Sequence, residues 1–280
     1  GNPQDQIDCI SIVGTNGKYS TIQALYAILK EANLKCNIYT SPHIQKINER
    51  FVFNNKPLSD EELIRLFSEV EEINNGEQIT FFEILTAAYF YHAKKYPKNI
   101  NLVETGLFHR FDATNILKNN LASIVTAIGL DHLDWLPKEN QTVEKIIFEK
   151  TSNLLNSKII IAKQSSNKIT QSIQNSIKNN SSKKVFFNKN YNFTLKENDF
   201  FYFEDEFGGL KLGITKIESI ARLQEIKSGN FKSLVMTNKL FVDGSHNPLG
   251  AKVLNEYLQS INCNKHIILG MMSNKDHNDH

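Results

Sequence analysis

The turn Gly14-Thr15-Asn16-Gly17-Lys18 lies between an apolar run, Ile7 to Val13, and a periodic segment that begins near Ser20. A strand, a glycine-containing loop and a helix in that order leave backbone N–H groups and a helix dipole facing an anion, and a lysine beside them can neutralise a phosphate. The spacing departs from the strict Walker form, because Ile12 stands where its first glycine would be and Tyr19 separates Lys18 from Ser20. An ordinary turn with a solvated lysine is the alternative. Ser41, Glu104 and His132 each follow a short β-rich run, at the edge where α/β sheets bind ligands. Oxygen groups there suit a hard cation such as Mg²⁺. By residue type alone, His132 reads as a loop hydrogen-bonding residue rather than a metal ligand, Ser41 as a capping or turn hydroxyl and Glu104 as a strand-end carboxylate. Lys150 follows Glu149 on the helix expected after Thr142, where a surface lysine in an i,i+4 ion pair is the plain reading. Asp243 ends a strand, and Asn247-Pro248 has the cap and first-turn character of a helix start.

These groups need elements to position them. Ile7 to Val13 reads as a buried strand and about Ser20 to Ala32 as a helix. Asn37 to Thr40 gives a second strand, and Phe51-Val52-Phe53 before Asn54-Asn55 a small hairpin arm. Ser59 with Glu62, and Thr80 with Glu83, match the capping box and mark two helix N-termini. Asn101 to Glu104, Leu121 to Thr126 and Ile159 to Ala162 are β-rich runs between helical or loop segments, the pattern of a parallel sheet flanked by helices. From Val185 to Leu212, aromatic alternation predicts antiparallel strands extending that sheet at its edge. A boundary is expected near Gly213 to Ser219. Beyond it, Lys239 to Val242, a helix over Pro248 to Ile261 and His266 to Leu269 form one βαβ unit.

The chain has 280 residues, 40% of them hydrophobic, with a net charge of +2. That length suggests one large unit plus part of another, and that balance fits a soluble globular protein. Lys and Arg are interspersed with acids and form no basic stripe, which argues against nucleic-acid binding. Cys9, Cys36 and Cys263 lack the spacing of a zinc site or a disulfide framework and read as small buried thiols in reducing surroundings. No apolar run approaches the ~20 residues that span a bilayer. A cytoplasmic monomer acting on small molecules is the expectation.

The wording of the loop adds a resemblance. Gly-Thr-Asn-Gly-Lys is similar to the loop of Mur-type amide ligases and of the folylpolyglutamate synthase / dihydrofolate synthase family. Thr40-Ser41-Pro42-His43, Asn48-Glu49-Arg50, Thr80-Phe81-Phe82-Glu83, Glu104-Thr105-Gly106 and Arg110-Phe111-Asp112-Ala113-Thr114-Asn115 resemble the folate branch. Gly129-Leu130-Asp131-His132, Glu149-Lys150 and Asp243-Gly244-Ser245-His246-Asn247-Pro248 then recur in the family's order. The resemblance covers nearly the whole chain. It implies an α/β fold: a P-loop parallel-sheet domain of Mur-ligase type over residues 1–216, and a truncated, Rossmann-like glutamate-ligase domain over 217–280. It further implies an ATP- and Mg²⁺-dependent ligase that adds L-glutamate to dihydropteroate or to the γ-carboxylate of a reduced folate through an acyl phosphate.

By that resemblance, Gly14, Thr15, Asn16, Gly17, Lys18, Tyr19, Ser20 and Thr21 hold ATP, joined by Arg222, Asp243 and His246. Ser41, Glu104 and His132 hold the metal, and Thr80, Phe82 and Asp112 face the pterin. Lys18, Lys150 and His246 carry the chemistry, with Lys150 similar to a carbamylated lysine. Another Mur-type amino-acid ligase and a nucleotide-binding module without turnover are the alternatives. Three departures from the family pattern stand out: Phe108 and His109 occupy positions that are usually glycine, and Tyr19 replaces a glycine after the loop lysine. The chain is also expected to be incomplete at both ends, with an internal deletion between Gly213 and Arg222.

Overall fold

The computed structural model describes residues 1–118, 120–196, 200–205, 208–213 and 221–270. The boundary expected near Gly213 to Ser219 falls almost wholly outside the described residues. Two compact units emerge: Gly1–Ile128 with Val143–Ile217, and Gly129–Thr142 with Glu218–His280.

The first unit is built on an eight-stranded sheet in the order β4-β3-β2-β5-β1-β6-β7-β8. The apolar run becomes β1 (Asp8–Val13), followed by α1 (Lys18–Glu31) and β2 (Cys36–Tyr39). The hairpin arm is β3 (Phe51–Phe53) with β4 (Lys56–Pro57), joined through Asn54 and Asn55, whose φ values of 52° and 66° suit the tight turn. Next come α2 (Asp60–Asn74), α3 (Phe81–Ala93), β5 (Ile100–Glu104) and β6 (Ala122–Val125). The main sheet ends with α4 (Val143–Thr151), β7 (Lys158–Ile161), α5 (Asn167–Ser176) and β8 (Lys184–Phe186). β2, β5, β1, β6, β7 and β8 pair in parallel, and β3 and β4 turn back antiparallel at one edge.

Both expected capping boxes form. Ser59 Oγ accepts from Glu62 N and Glu62 Oε2 from Ser59 N, and Thr80 and Glu83 exchange the same pair of bonds. The period of two in the strands divides the core. Tyr39 and Val103 join Phe51, Leu66, Leu85 and Tyr89 on the face covered by α2 and α3, whereas Ile38 and Leu102 join Ile12 and Ile22 on the other, under α1. Each fully buried apolar side chain stabilises the fold by about 1.5–3 kcal/mol. Asparagines within the strands are satisfied: Asn37 and Asn101 bond each other, Tyr89 Oη donates to Asn101 and Asn99 donates to Asn37.

Three expectations are corrected. β8 joins the main sheet in parallel, while β9 (Tyr191–Lys196), β10 (Phe200–Asp205) and β11 (Gly208–Gly213) form a separate antiparallel sheet, so Val185 to Leu212 is not one edge extension. In the second unit, β12 (Gln224–Glu225) pairs antiparallel with β13 (Phe241–Val242), with α6 (Asn230–Leu234) between them and α7 (Pro248–Ser260) after them. His266 to Leu269 forms no strand, and Ile268 is wholly exposed. A strand is defined by its neighbour, and among the described residues β13 pairs only with β12, antiparallel, so the expected parallel βαβ unit does not form. Finally, Cys9 and Cys36 are buried, with their thiols pushed up to about 12 and about 11 chiefly by burial, but Cys263 is exposed.

Candidate active site

β1 lies between β5 and β6, and the chain leaves it towards β2 on one side and reaches β6 on the other, so its C-terminal end is a topological switch point. Gly14 to Gly17 occupies that end. Gly14 has φ +152°, and a Cβ there would meet Thr126 Oγ1 at 2.0 Å, so the position admits glycine alone. Gly17 caps α1 in the left-handed region, with φ 86°. Thr15 N and Asn16 N both donate to Ala127 O, pinning the loop to the segment after β6. The first backbone bond of the helix runs from Thr21 N to Gly17 O, and Thr21 Oγ1 donates to the same carbonyl. The amides before Thr21 therefore lie in the open first turn, at the positive end of the helix. Asn16 Oδ1 is buried with no partner among the described residues. Lys18 Nζ folds back onto Gly14 O at 3.2 Å and Thr15 O at 3.3 Å.

β2 and β5 are neighbours, and they bring the next groups to the same edge. Glu104, 3% exposed, accepts from Ser41 N at 3.1 Å through Oε2 and lies 3.9 Å from Lys18 Nζ through Oε1. Lys18, Ser41 and Glu104 therefore form one cluster, although they are 86 positions apart from first to last (104 − 18).

Beyond β5, Asp112 is partly buried and ties its own loop together: Oδ2 accepts from Gly106 N and Leu107 N, Oδ1 from Thr114 N and Thr114 Oγ1. Burial pushes its carboxyl up, and these bonds offset part of that shift. A Cβ on Gly106 would stand 2.7 Å from Asp112 Oδ2 and 3.1 Å from the Phe82 ring, so Phe82 and Asp112 close on one glycine. Phe82 also stacks on Tyr39 with centroids 6.1 Å apart. Thr80 spends its hydroxyl on the cap of α3, donating to Glu83 Oε2 at 2.6 Å.

Lys150 is no surface lysine. It is 2% exposed, and its Nζ donates to Leu107 O at 2.7 Å and sits 5.4 Å from the Phe108 ring. The i,i+4 pair on α4 is instead Lys145 with Glu149, and Glu149 also takes both donors of Arg110 at 2.7 and 2.8 Å. His109 is buried beside Lys150, with neither ring nitrogen bonded among the described residues. Burial and the Lys150 charge lower its pKa to about 4. Of the two residues that stand where the family has glycines, His109 thus packs inward and Phe108 faces the lysine.

In the second unit, Asp131 is a hub that sequence reasoning left without a role. It is 7% exposed, accepts from His132 N and from Asn247 Nδ2, and lies 3.6 Å from His132 Nε2 and 3.7 Å from His246 Nε2. Its signal was the Asp-His pair itself. His132 has φ 57°, and Asn247 caps α7 through Gly250 N as expected. Asp243 accepts from Leu223 N and Ser245 N, and Arg222 Nη1 bonds Ala221 O, so Arg222, Asp243 and His246 occupy one end of the β12–β13 ribbon. Burial pushes the Asp243 carboxyl up, but its hydrogen bonds prevail and hold it below the usual range.

No family model matches the chain. It is 39% identical over 157 residues, 54% of its length, to the dihydrofolate synthase/folylpolyglutamate synthase of Bacillus subtilis (strain 168), of which that stretch is 36%. The Escherichia coli (strain K12) enzyme of the same name is 34% identical over 133 residues, 48% of this chain and 31% of that one. Over about half of its length the chain is thus similar to dihydrofolate synthase/folylpolyglutamate synthases. The matched stretch spans only about a third of those relatives. In fold, E. coli FolC solved with ADP and without folate substrate superimposes with a TM-score of 0.82 at 24% identity, covering 94% of this chain and 68% of that one. The bifunctional folylpolyglutamate synthase/dihydrofolate synthase of Yersinia pestis, complexed with AMPPNP and Mn ion, gives 0.80 at 23%, covering 92% and 67%. These confirm an α/β fold of the folylpolyglutamate synthase type.

Proposed function

We propose that the chain binds ATP and Mg²⁺ at the end of β1 and belongs to a ligase joining L-glutamate to dihydropteroate, to the γ-carboxylate of a reduced folate, or to both. The cluster of Lys18, Ser41 and Glu104 around a glycine loop at the sheet's switch point carries this reading. The donor set suits the cation: Ser41 and Glu104 offer oxygen, the ligand that Mg²⁺ prefers, and the resemblance assigns His132 as the third protein ligand. When bound, the metal would offset charge on the triphosphate. The first turn of α1 suits an anionic ligand, whereas Asn16 Oδ1, an acceptor without a partner among the described residues, suits a donor or a cation.

In this reading Lys18 leaves its own loop carbonyls for phosphate, so it neutralises charge as a substrate carboxylate attacks the γ-phosphate. That attack displaces ADP, and the glutamate amine then attacks the acyl carbon of the acyl phosphate, displacing inorganic phosphate and losing a proton as the amide forms. Gly14 and Gly17 let the backbone approach the nucleotide. Asp112 shapes the loop that faces the pterin, and Phe82 supplies its apolar wall, with Thr80 ordering the start of α3. By the resemblance, Lys150 is the candidate for carbamylation, in which its amine adds CO₂ and releases a proton to give a carbamate. By the resemblance, Arg222, Asp243 and His246 would also bind the nucleotide.

The test is a Mg²⁺-dependent assay of the full chain with dihydropteroate and with tetrahydrofolate, following ADP and the glutamylated product. Product from both acceptors assigns both activities. ATP binding without glutamate-dependent ADP release would overturn the ligase reading in favour of a nucleotide-binding module.

A further inference from the structure

Of the segment Asn48-Glu49-Arg50, two residues have evident structural work. Asn48 Nδ2 donates to Leu58 O and to Asp60 Oδ1, tying the hairpin to the start of α2. Glu49 accepts from the backbone N–H groups of Ile44, Gln45 and Lys46 at 2.8 Å each and so fixes the turn after Ser41 and His43. Arg50 does neither. It is 7% exposed, yet the only hydrogen bond of its side chain among the described residues runs from Nε to His43 Nδ1 at 2.9 Å, and its guanidinium carbon lies 6.0 Å from the centroid of the exposed Phe81 ring. An arginine presents five donors and is never neutral in a protein, so a buried one calls for an anion. Here the hydrogen-bonded neighbour is an imidazole that must accept at Nδ1, and hence carries its proton on Nε2. Glu104 is within electrostatic reach but is held by Ser41 N and lies beside Lys18. The planar fork therefore stands at the rim of the candidate site, between Phe81 and the Ser41 turn.

We propose that Arg50, held by His43, is the seat for the acceptor's carboxylate, with Phe81 against the adjoining acyl group. This deepens the ligase reading and rests on it for the identity of the acceptor. A guanidinium fork matches a carboxylate in a bidentate manner and would fix which oxygen faces the nucleotide.

The test compares, by calorimetric titration of the full chain, dihydropteroate with its carboxamide, which has the same shape without the charge. Wild type is expected to bind the carboxylate about 10- to 100-fold more tightly, the range for a hydrogen bond to a charged group. R50M is expected to bring that ratio near one while changing ADP affinity by less than about threefold, with R50K keeping part of the preference. Should R50M fail to fold, R50K alone decides, because loss of the fork must lower the ratio by at least about threefold. An unchanged ratio in a variant that still binds ADP overturns the seat, as does a wild type indifferent to the carboxamide. A wild type that prefers the carboxylate but releases no ADP with glutamate refutes the ligase reading and leaves the seat standing.

Discussion

Lys18 at present bonds two carbonyls of its own loop, and its nearest acid is Glu104. If its role is to meet phosphate, Lys18→Ala should lower turnover by roughly 10²–10³, comparable with removing one preorganised donor to developing charge. Steady-state ADP release decides it, and near-normal turnover would remove Lys18 from the mechanism. Gly14 tests the loop's shape and not its charge. In Gly14→Ala the new methyl meets Thr126 Oγ1 at 2.0 Å, and Thr126 is itself buried against Val13 O. A loss of about 1–3 kcal/mol by denaturant titration, with nucleotide binding lost as well, is the expected result. Lys150 shows why residue type alone misled. A lysine on a helix is commonly exposed, and only the approach of Leu107 and Phe108 buries this one.

Elements place these side chains. The helix that carries Phe82 starts at the Thr80 box and the preceding helix at the Ser59 box, and both starts were legible because a capping box is a local contract between two residues three apart. Ser59→Ala should cost about 1 kcal/mol of stability while leaving the KM for ATP unchanged, since among the described residues the Ser59 side chain bonds only within its own cap. Thermal unfolding with a parallel KM measurement checks both halves. The His266 to Leu269 strand was misread for the opposite reason: its apolar pattern is local, but strand formation depends on a partner.

At the scale of the molecule, the buried His109 and the half-buried His92 set the response to acid. His109 and His92 each have a pKa lowered to about 4, first by burial and then by a neighbouring lysine, Lys150 for His109 and Lys95 for His92. Each binds a proton more readily when unfolded, near the ordinary value of about 6.5. Their neutral forms therefore contribute full stability above that value, and stability falls as pH drops from about 6.5 to about 4. Tm should decline across that window. His109→Leu should flatten the decline, and a slope equal to wild type would show that His109 does not titrate this way.

Local pattern was enough for the strand, loop and helix around Gly14, the two capping boxes, the hairpin turn at Asn54-Asn55 and the parallel strands of the main sheet. Each is written in neighbours a few positions apart or in a period of two or 3.6. Tertiary structure alone decided that Lys18, Ser41 and Glu104 meet, because β5 inserts between β1 and β2. It also decided that Lys150 and Arg50 are buried and that Asp131 gathers His132, His246 and Asn247. Long-range pairing brings those groups together from segments far apart in the chain, and no local pattern encodes which strand lies beside which.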